Sequence, residues 1–137
     1  MDMKKKVEHL VEKYNTNDPF LLCKHLGISV KFVPLGKILG FYSKTHRIPV
    51  IHINEQSPEG KRKFTAAHEL AHALCHSNSN TSFMKSNTFF STDKYEIEAN
   101  LFAVELLFVQ NSDTQIISLE EACDYYGVPK QLLLKNF

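Results

Sequence analysis

The sequence predicts an α+β fold. A small three-stranded antiparallel sheet is joined to one helix that carries a metal-binding motif, a second that offers a further ligand, and a helical C-terminal tail. Three observations carry this reading. Ile28 to Val33, Leu39 to Ser43 and Ile48 to Ile53 are short runs rich in β-branched and aromatic residues, and they follow one another with only brief polar breaks. Phe64 to His76 is rich in Ala and Leu and contains neither Gly nor Pro, which favours helix. Tyr95 to Phe108 places Ala99, Ala103 and Leu106 on one helical face. Strands grouped together, with helices before and after, indicate α+β rather than the alternation that builds a parallel sheet.

The elements follow in order. Val7, Leu10 and Val11 lie at helical spacing within Lys4 to Tyr14. Asn15 to Asn17 end that helix, and Asp18-Pro19 reads as the N-cap and first position of the next, which covers Phe20 to His25 and ends at Gly27. Pro34-Leu35-Gly36 separates the first two strands, and the short Lys44 to Arg47 connection makes the second and third a hairpin. Ser57 and Pro58 are the expected N-cap and first residue of the motif helix. Ser77 to Asp93 is polar with Phe83, Met84, Phe89 and Phe90 interleaved; it predicts a partly ordered loop and a candidate flap over a cleft. Ser118 and Glu121 form a capping box in the tail, where Gly127 and Val128-Pro129 separate two short apolar helices. That tail resembles half a helix-turn-helix, but its second helix offers only Lys130 and Lys135 as cations, so packing on the core or docking a partner is expected over DNA binding.

Length and composition set the outer limits. The chain of 137 residues predicts one domain, with a core over about 18–110 and a helical tail over about 116–137. A hydrophobic fraction of 43% is ordinary for a globular protein, and no apolar run approaches a membrane span. The basic N-terminus lacks the apolar stretch of a signal peptide, and a net charge of +1 gives no electrostatic case for nucleic acid or an anionic membrane. Cys23, Cys75 and Cys123 form no CxxC pair, so reduced thiols in a cytoplasmic protein are expected.

The chemistry concentrates in His68-Glu69-Leu70-Ala71-His72, an HExxH pattern. Residues four apart share a helix face, so His68 and His72 can hold one metal ion while Glu69 takes a proton from water beside it. A catalytic zinc needs a third protein ligand. Glu96 shares its face with Ala99, Asn100 and Ala103, small residues that let another helix approach, and an inward carboxylate there requires a partner. Asn100 is placed to hydrogen-bond a ligand. Glu98 and Glu105 share a different face and are expected in water. His76 reads equally as a residue beside the metal or as a structural residue at the helix end, and Cys75 and His76 are the fallback ligands. His46 and Tyr95 are candidates to stabilise an oxyanion.

The paired pattern resembles the ImmA/IrrE family of metallopeptidases. The resemblance rests on Phe64-Thr65-x-Ala67-His68-Glu69-Leu70-x-His72, followed by Glu96-x-x-Ala99-Asn100-x-Phe102-Ala103-x-Glu105-Leu106-Leu107, and on the strand Ile48 to Asn54. It covers about 18–110. It implies a thermolysin-like minimal metalloprotease core in a cytoplasmic protein, Zn2+ held by His68, His72 and Glu96, and Glu69 as catalytic base. It further implies a helix-turn-helix repressor as substrate, encoded on a phage, mobile element or stress operon. The chain departs from the family at Phe108-Val109, where members often carry Met-Pro, which bears on the helix end and the adjoining groove. Two other classes compete: a zinc-binding regulator that sequesters a repressor without cutting it, and a structural helical module that holds no metal.

Overall fold

In the computed structural model, which describes residues 2–77, 81–84, 89, 93–110 and 118–136, two short helices precede a sheet. These are α1 (Met3–Tyr14) and α2 (Pro19–Leu26), followed by β1 (Ser29–Val33), β2 (Ile38–Thr45) and β3 (Ile48–Asn54). The motif helix α3 (Glu59–Cys75), the short strand β4 (Thr81–Met84) and α4 (Lys94–Val104) come next. A π-helical turn (Glu105–Val109) extends α4, and α5 (Leu119–Tyr126) and α6 (Lys130–Asn136) form the tail.

The predicted strands are present, but the sheet is mixed and has a fourth member. Its order is β1-β3-β2-β4. β2 and β3 form the expected antiparallel hairpin, from Gly40 opposite Ile53 to Thr45 opposite Ile48. Its turn is His46-Arg47, both with positive φ (52° and 68°), the backbone of a tight two-residue hairpin. β1, however, lies parallel to β3, from Ser29 beside Val50 to Val33 beside Asn54. Residues 34–37 therefore cross the end of β3 instead of turning back beside β1. A few residues suffice to step over one strand, because neighbouring strands lie only about 4.8 Å apart. The side chain of Asn54 holds the crossing in place. Its amide donates to the carbonyls of Gly36 and Ile38, 3.0 Å each, and its oxygen accepts from the Gln56 N–H at 3.0 Å.

β4 pairs antiparallel with the other edge of β2, so part of the segment expected to be a loop is an edge strand. The flap proposed for the rest of 77–93 falls largely outside the described residues. Phe89, which is described, is buried with its ring 5.8 Å from that of Phe64.

Period-two burial in β3 puts Ile51 and Ile53 into the core, and α3 packs on the sheet against β2 and β3. Gly40 permits the close approach: a Cβ there would lie 2.5 Å from the Thr65 methyl and 2.7 Å from the His52 carbonyl oxygen. α3 starts at Glu59 with Pro58 at the N-cap position and no side-chain cap, one residue later than the sequence suggests. The expected role of Ser57 is different as well, since its carbonyl accepts from the Arg62 guanidinium at 2.8 Å.

The tail packs against the start of α3. Ser118 caps α5 by accepting from the Glu121 N–H at 3.1 Å. At the contact, Gly60 lies so close to Tyr125 that a Cβ would overlap the Tyr125 carbonyl oxygen. Replacing a helical Gly with Ala gains at most about 1 kcal/mol of propensity. Overpacking against backbone costs about 1–3 kcal/mol. Gly60→Ala is therefore expected to lower stability, with the midpoint of urea unfolding as the measurement; a rise in that midpoint would show that the tail does not rest on α3.

Candidate metal centre

The site lies where α3 and α4 meet. Ala99 and Ala103 on α4 and Ala67 and Ala71 on α3 are fully buried. Small side chains let the two axes approach, so that side chains near the contact converge from both helices. His68 and His72 are completely buried one turn apart on α3. Glu96 enters from the first turn of α4, with 15% of its side chain exposed. The orientation of that turn is set by Asp93, whose carboxylate accepts from the Tyr95 N–H at 2.8 Å and the Glu96 N–H at 3.3 Å.

Four donor atoms form a tight group. The Nε2 atoms of His68 and His72 are 3.3 Å apart. Glu96 Oε2 lies 3.1 Å from His68 Nε2, and Glu96 Oε1 lies 2.8 Å from His72 Nε2. Two nitrogens each about 2.05 Å from a tetrahedral zinc are separated by roughly 3.3 Å. The spacing and the donor chemistry thus fit a small borderline-soft cation. Among the described residues, His68, His72 and Glu96 are the one set of His, Cys, Asp and Glu side chains whose ligand atoms converge within 4.8 Å.

The electrostatics suit the same role. Burial pushes the His68 imidazole below its usual pKa, against the opposing hydrogen bond to Glu96, so the ring is neutral near pH 7. Burial also acts to raise Glu96, but where the facing imidazole nitrogens carry protons, hydrogen bonds from His68 and His72 and their charges outweigh it and bring the carboxyl to about 2. Neutral imidazole and ionised carboxylate are the forms that bind metal. His68 Nδ1 is 2.8 Å from Asn100 Oδ1. An amide oxygen only accepts, so His68 carries its proton on Nδ1 and turns an unprotonated Nε2 toward Glu96.

The sequence placed His68, His72, Glu96 and Asn100 together, and the structure does the same. Glu69, which lies between the two histidines in sequence, is fully buried. The reading of Glu98 and Glu105 is overturned. Glu98 is mostly covered, with 14% side-chain exposure, and its Oε1 lies 3.4 Å from His76 Nε2. Glu105 is only 3% exposed, at the start of the π-helical turn. Their seven-residue spacing places them on a shared face that is covered in the fold, and α1 packs against both α4 and the π turn. The π turn also lies where the sequence departs from the family pattern.

His76 caps the end of α3, its N–H donating to the His72 carbonyl at 2.7 Å, and its Nδ1 lies 3.0 Å from His72 Nδ1. It therefore combines the two roles considered for it. Tyr95 stacks on His76, ring centroids 4.1 Å apart and planes 22° from parallel. His46 is exposed at the hairpin tip, and Cys75, its thiol pushed up by burial, is not part of the converging set. The Glu98–His76 contact was invisible in the sequence because it joins an exposed-looking residue to the last turn of another helix.

Two packed helices that bring two imidazoles and a carboxylate together beside a small mixed sheet define an α+β protein with a candidate metal site. Comparison with known proteins narrows it. The sequence matches the peptidase M78 family, the IrrE N-terminal-like domain, over residues 23–136, and the chain belongs to this ImmA/IrrE family of metallopeptidases. It is 39% identical over 149 residues to uncharacterized immunity region protein 2 of Bacillus phage phi105, covering 98% of this chain and 93% of that one. It is 29% identical over 135 residues to the metallopeptidase ImmA of Bacillus subtilis strain 168, covering 93% and 79% respectively. A shorter stretch of 48 residues is 44% identical to the radiation response metalloprotease IrrE of Deinococcus deserti, covering 35% of this chain and 16% of that protein. Among the described residues no helix is long and apolar enough to cross a membrane.

Asp93 starts the turn that aims Glu96. Loss of an N-cap carboxylate costs about 0.5–2 kcal/mol. Asp93→Ala is expected to lower stability by that amount in chemical denaturation and Asp93→Ser to recover most of it; equal stability of wild type and Asp93→Ala would exclude the cap.

Proposed function

We propose that the protein is a zinc-dependent endopeptidase of the HExxH type, and that its substrate is a helix-turn-helix repressor. The observation that carries this is the convergence of His68, His72 and Glu96 on one point between α3 and α4, with Glu69 buried beside them. Family membership and the metallopeptidase name of the Bacillus subtilis relative support the protease reading. The repressor follows from the family resemblance, and the phage immunity-region relative is consistent with it. A cytoplasmic location belongs to the same reading.

Each residue has a separate task. His68, His72 and Glu96 would hold the zinc, and Asn100 keeps His68 oriented. Zinc bound there would supply Lewis acidity, lowering the pKa of water and polarising the scissile carbonyl. The Glu69 carboxylate accepts the proton of the attacking water and passes it to the departing amine nitrogen. β4 borders α3 at the sheet edge and offers backbone groups to an extended substrate, as strand addition requires.

The purified protein is expected to carry about one zinc per chain. Glu96→Ala should weaken zinc binding by more than the roughly ten- to hundredfold that follows loss of an outer hydrogen-bonding partner. Elemental analysis and competition with a chromogenic chelator measure both, and an absence of stoichiometric uptake on adding zinc would leave the structural-module reading.

Glu69→Gln should keep zinc content near wild type and reduce cleavage of the co-expressed repressor by roughly a hundredfold or more, because the amide cannot act as a base. Gel analysis of the repressor band and a reporter of repression are read together. If neither form cuts but both relieve repression, the protein is a sequestering regulator instead.

A further inference from the structure

We infer that Glu98 and His76 form a relay that fixes the tautomer of His72, so that its Nε2 lone pair is presented to the metal; this rests on the metal-site reading proposed above. An ionised carboxylate can only accept hydrogen bonds. Glu98 Oε1 lies 3.4 Å from His76 Nε2, so the proton of a neutral His76 is drawn to Nε2 and its Nδ1 is left as an acceptor. His76 Nδ1 is 3.0 Å from His72 Nδ1, and that contact needs one donor and one acceptor. His72 must then carry its proton on Nδ1. Its Nε2, 3.3 Å from His68 Nε2, is the unprotonated, metal-binding nitrogen.

The relay matters because His72 has a competing choice. Glu96 Oε1 lies 2.8 Å from His72 Nε2 and attracts a proton there, which is the form that cannot bind a cation. His68 is protected from the same error by Asn100, 2.8 Å from its Nδ1. Among the described residues the partner of His72 Nδ1 is His76 rather than an amide, and His76 and Glu98 stand in that place. The geometry holds His76 from three sides. Its backbone N–H is bonded to the His72 carbonyl at 2.7 Å, Tyr95 stacks on its ring at 4.1 Å, and Glu98 takes its far nitrogen. The link to Glu98 is the longest of the chain, so His76 should count for more than Glu98. His76 and Glu98 are positioning residues: they act on the metal through His72.

The test measures zinc affinity by chelator competition in wild type, His76→Phe, Glu98→Ala and Glu98→Gln, together with the His76 tautomer in the zinc-loaded wild type by long-range proton–nitrogen correlation. His76 should be protonated on Nε2 and bare on Nδ1. His76→Phe should weaken zinc binding roughly ten- to a hundredfold, the usual cost of losing a partner behind a ligand histidine. Glu98→Ala should show a smaller loss. Glu98→Gln should stay near wild type, because the amide oxygen still accepts from His76, a rescue that a role in charge alone would not give. A proton on His76 Nδ1, or wild-type affinity in both His76→Phe and Glu98→Ala, overturns the relay. If His76→Phe fails to fold, the tautomer and the Glu98 pair still decide. Wild-type protein that takes up no zinc would overturn the metal-site reading itself, an outcome distinct from every pattern above.

Discussion

The contact between α3 and α4 is the constraint on which the site depends. Imidazoles on one helix can line up by themselves, since a four-residue spacing is enough. A third ligand from another helix requires the two axes to come close and stay there. Buried small residues on both helices, Ala67 and Ala71 on one and Ala99 and Ala103 on the other, suit a close approach, and the sheet packs behind α3. Gly40 serves the same end on the opposite face of α3, by letting the helix settle onto β2 without a Cβ in the way. The ligand atoms then sit on regular elements rather than on loops, which favours precision in a metal site.

Behind the ligands stands a further layer of hydrogen bonds, and it is divided between the same two helices. α4 contributes Asn100 to His68 and Glu98 to His76, while α3 contributes His76 to His72. Glu96, Glu98 and Asn100 thus all reach α3 from α4 although Glu96 and Glu98 differ by about 200° in direction. They can do so because α3 presents two separate targets: the His68–His72 pair and, one turn later, His76 at its end. Asp93 orients the start of α4 and so influences both contacts.

The legible part of this arrangement was the part governed by local periodicity. Spacing within α3 and the small-residue face of α4 point to His68, His72, Glu96 and Asn100 in the sequence itself. The hairpin of β2 and β3 was likewise visible in its short connection. What escaped was decided at longer range. β1 lies parallel to β3 because residues 34–37 cross over the strand end, and the side chain that holds the crossing, Asn54, belongs to a strand that follows it in sequence. Glu98 and Glu105 share a face, which periodicity shows, but whether that face is wet depends on α1, some ninety residues away along the chain. β4 was hidden because an edge strand of only four residues, Thr81 to Met84, in a polar segment has too little pattern to distinguish it from loop.

The buried charges give the site its energetic logic. Glu96 is ionised with a pKa of about 2, yet burial keeps the imidazole of His68 neutral. Neutral imidazoles relieve the desolvation of a carboxylate only through hydrogen bonds, and an uncompensated buried charge costs several kcal/mol. The folded protein holds the Glu96 carboxylate 3.1 Å from the Nε2 of His68 and 2.8 Å from the Nε2 of His72. A divalent cation placed among these atoms would neutralise the carboxylate and use both nitrogens, so ligand binding and relief of that desolvation become the same event. On this view the packing of α3 on α4 does more than bring three candidate ligands together. It holds them at a separation that a shared cation can use, which would couple the stability of the helix pair to the occupancy of its centre.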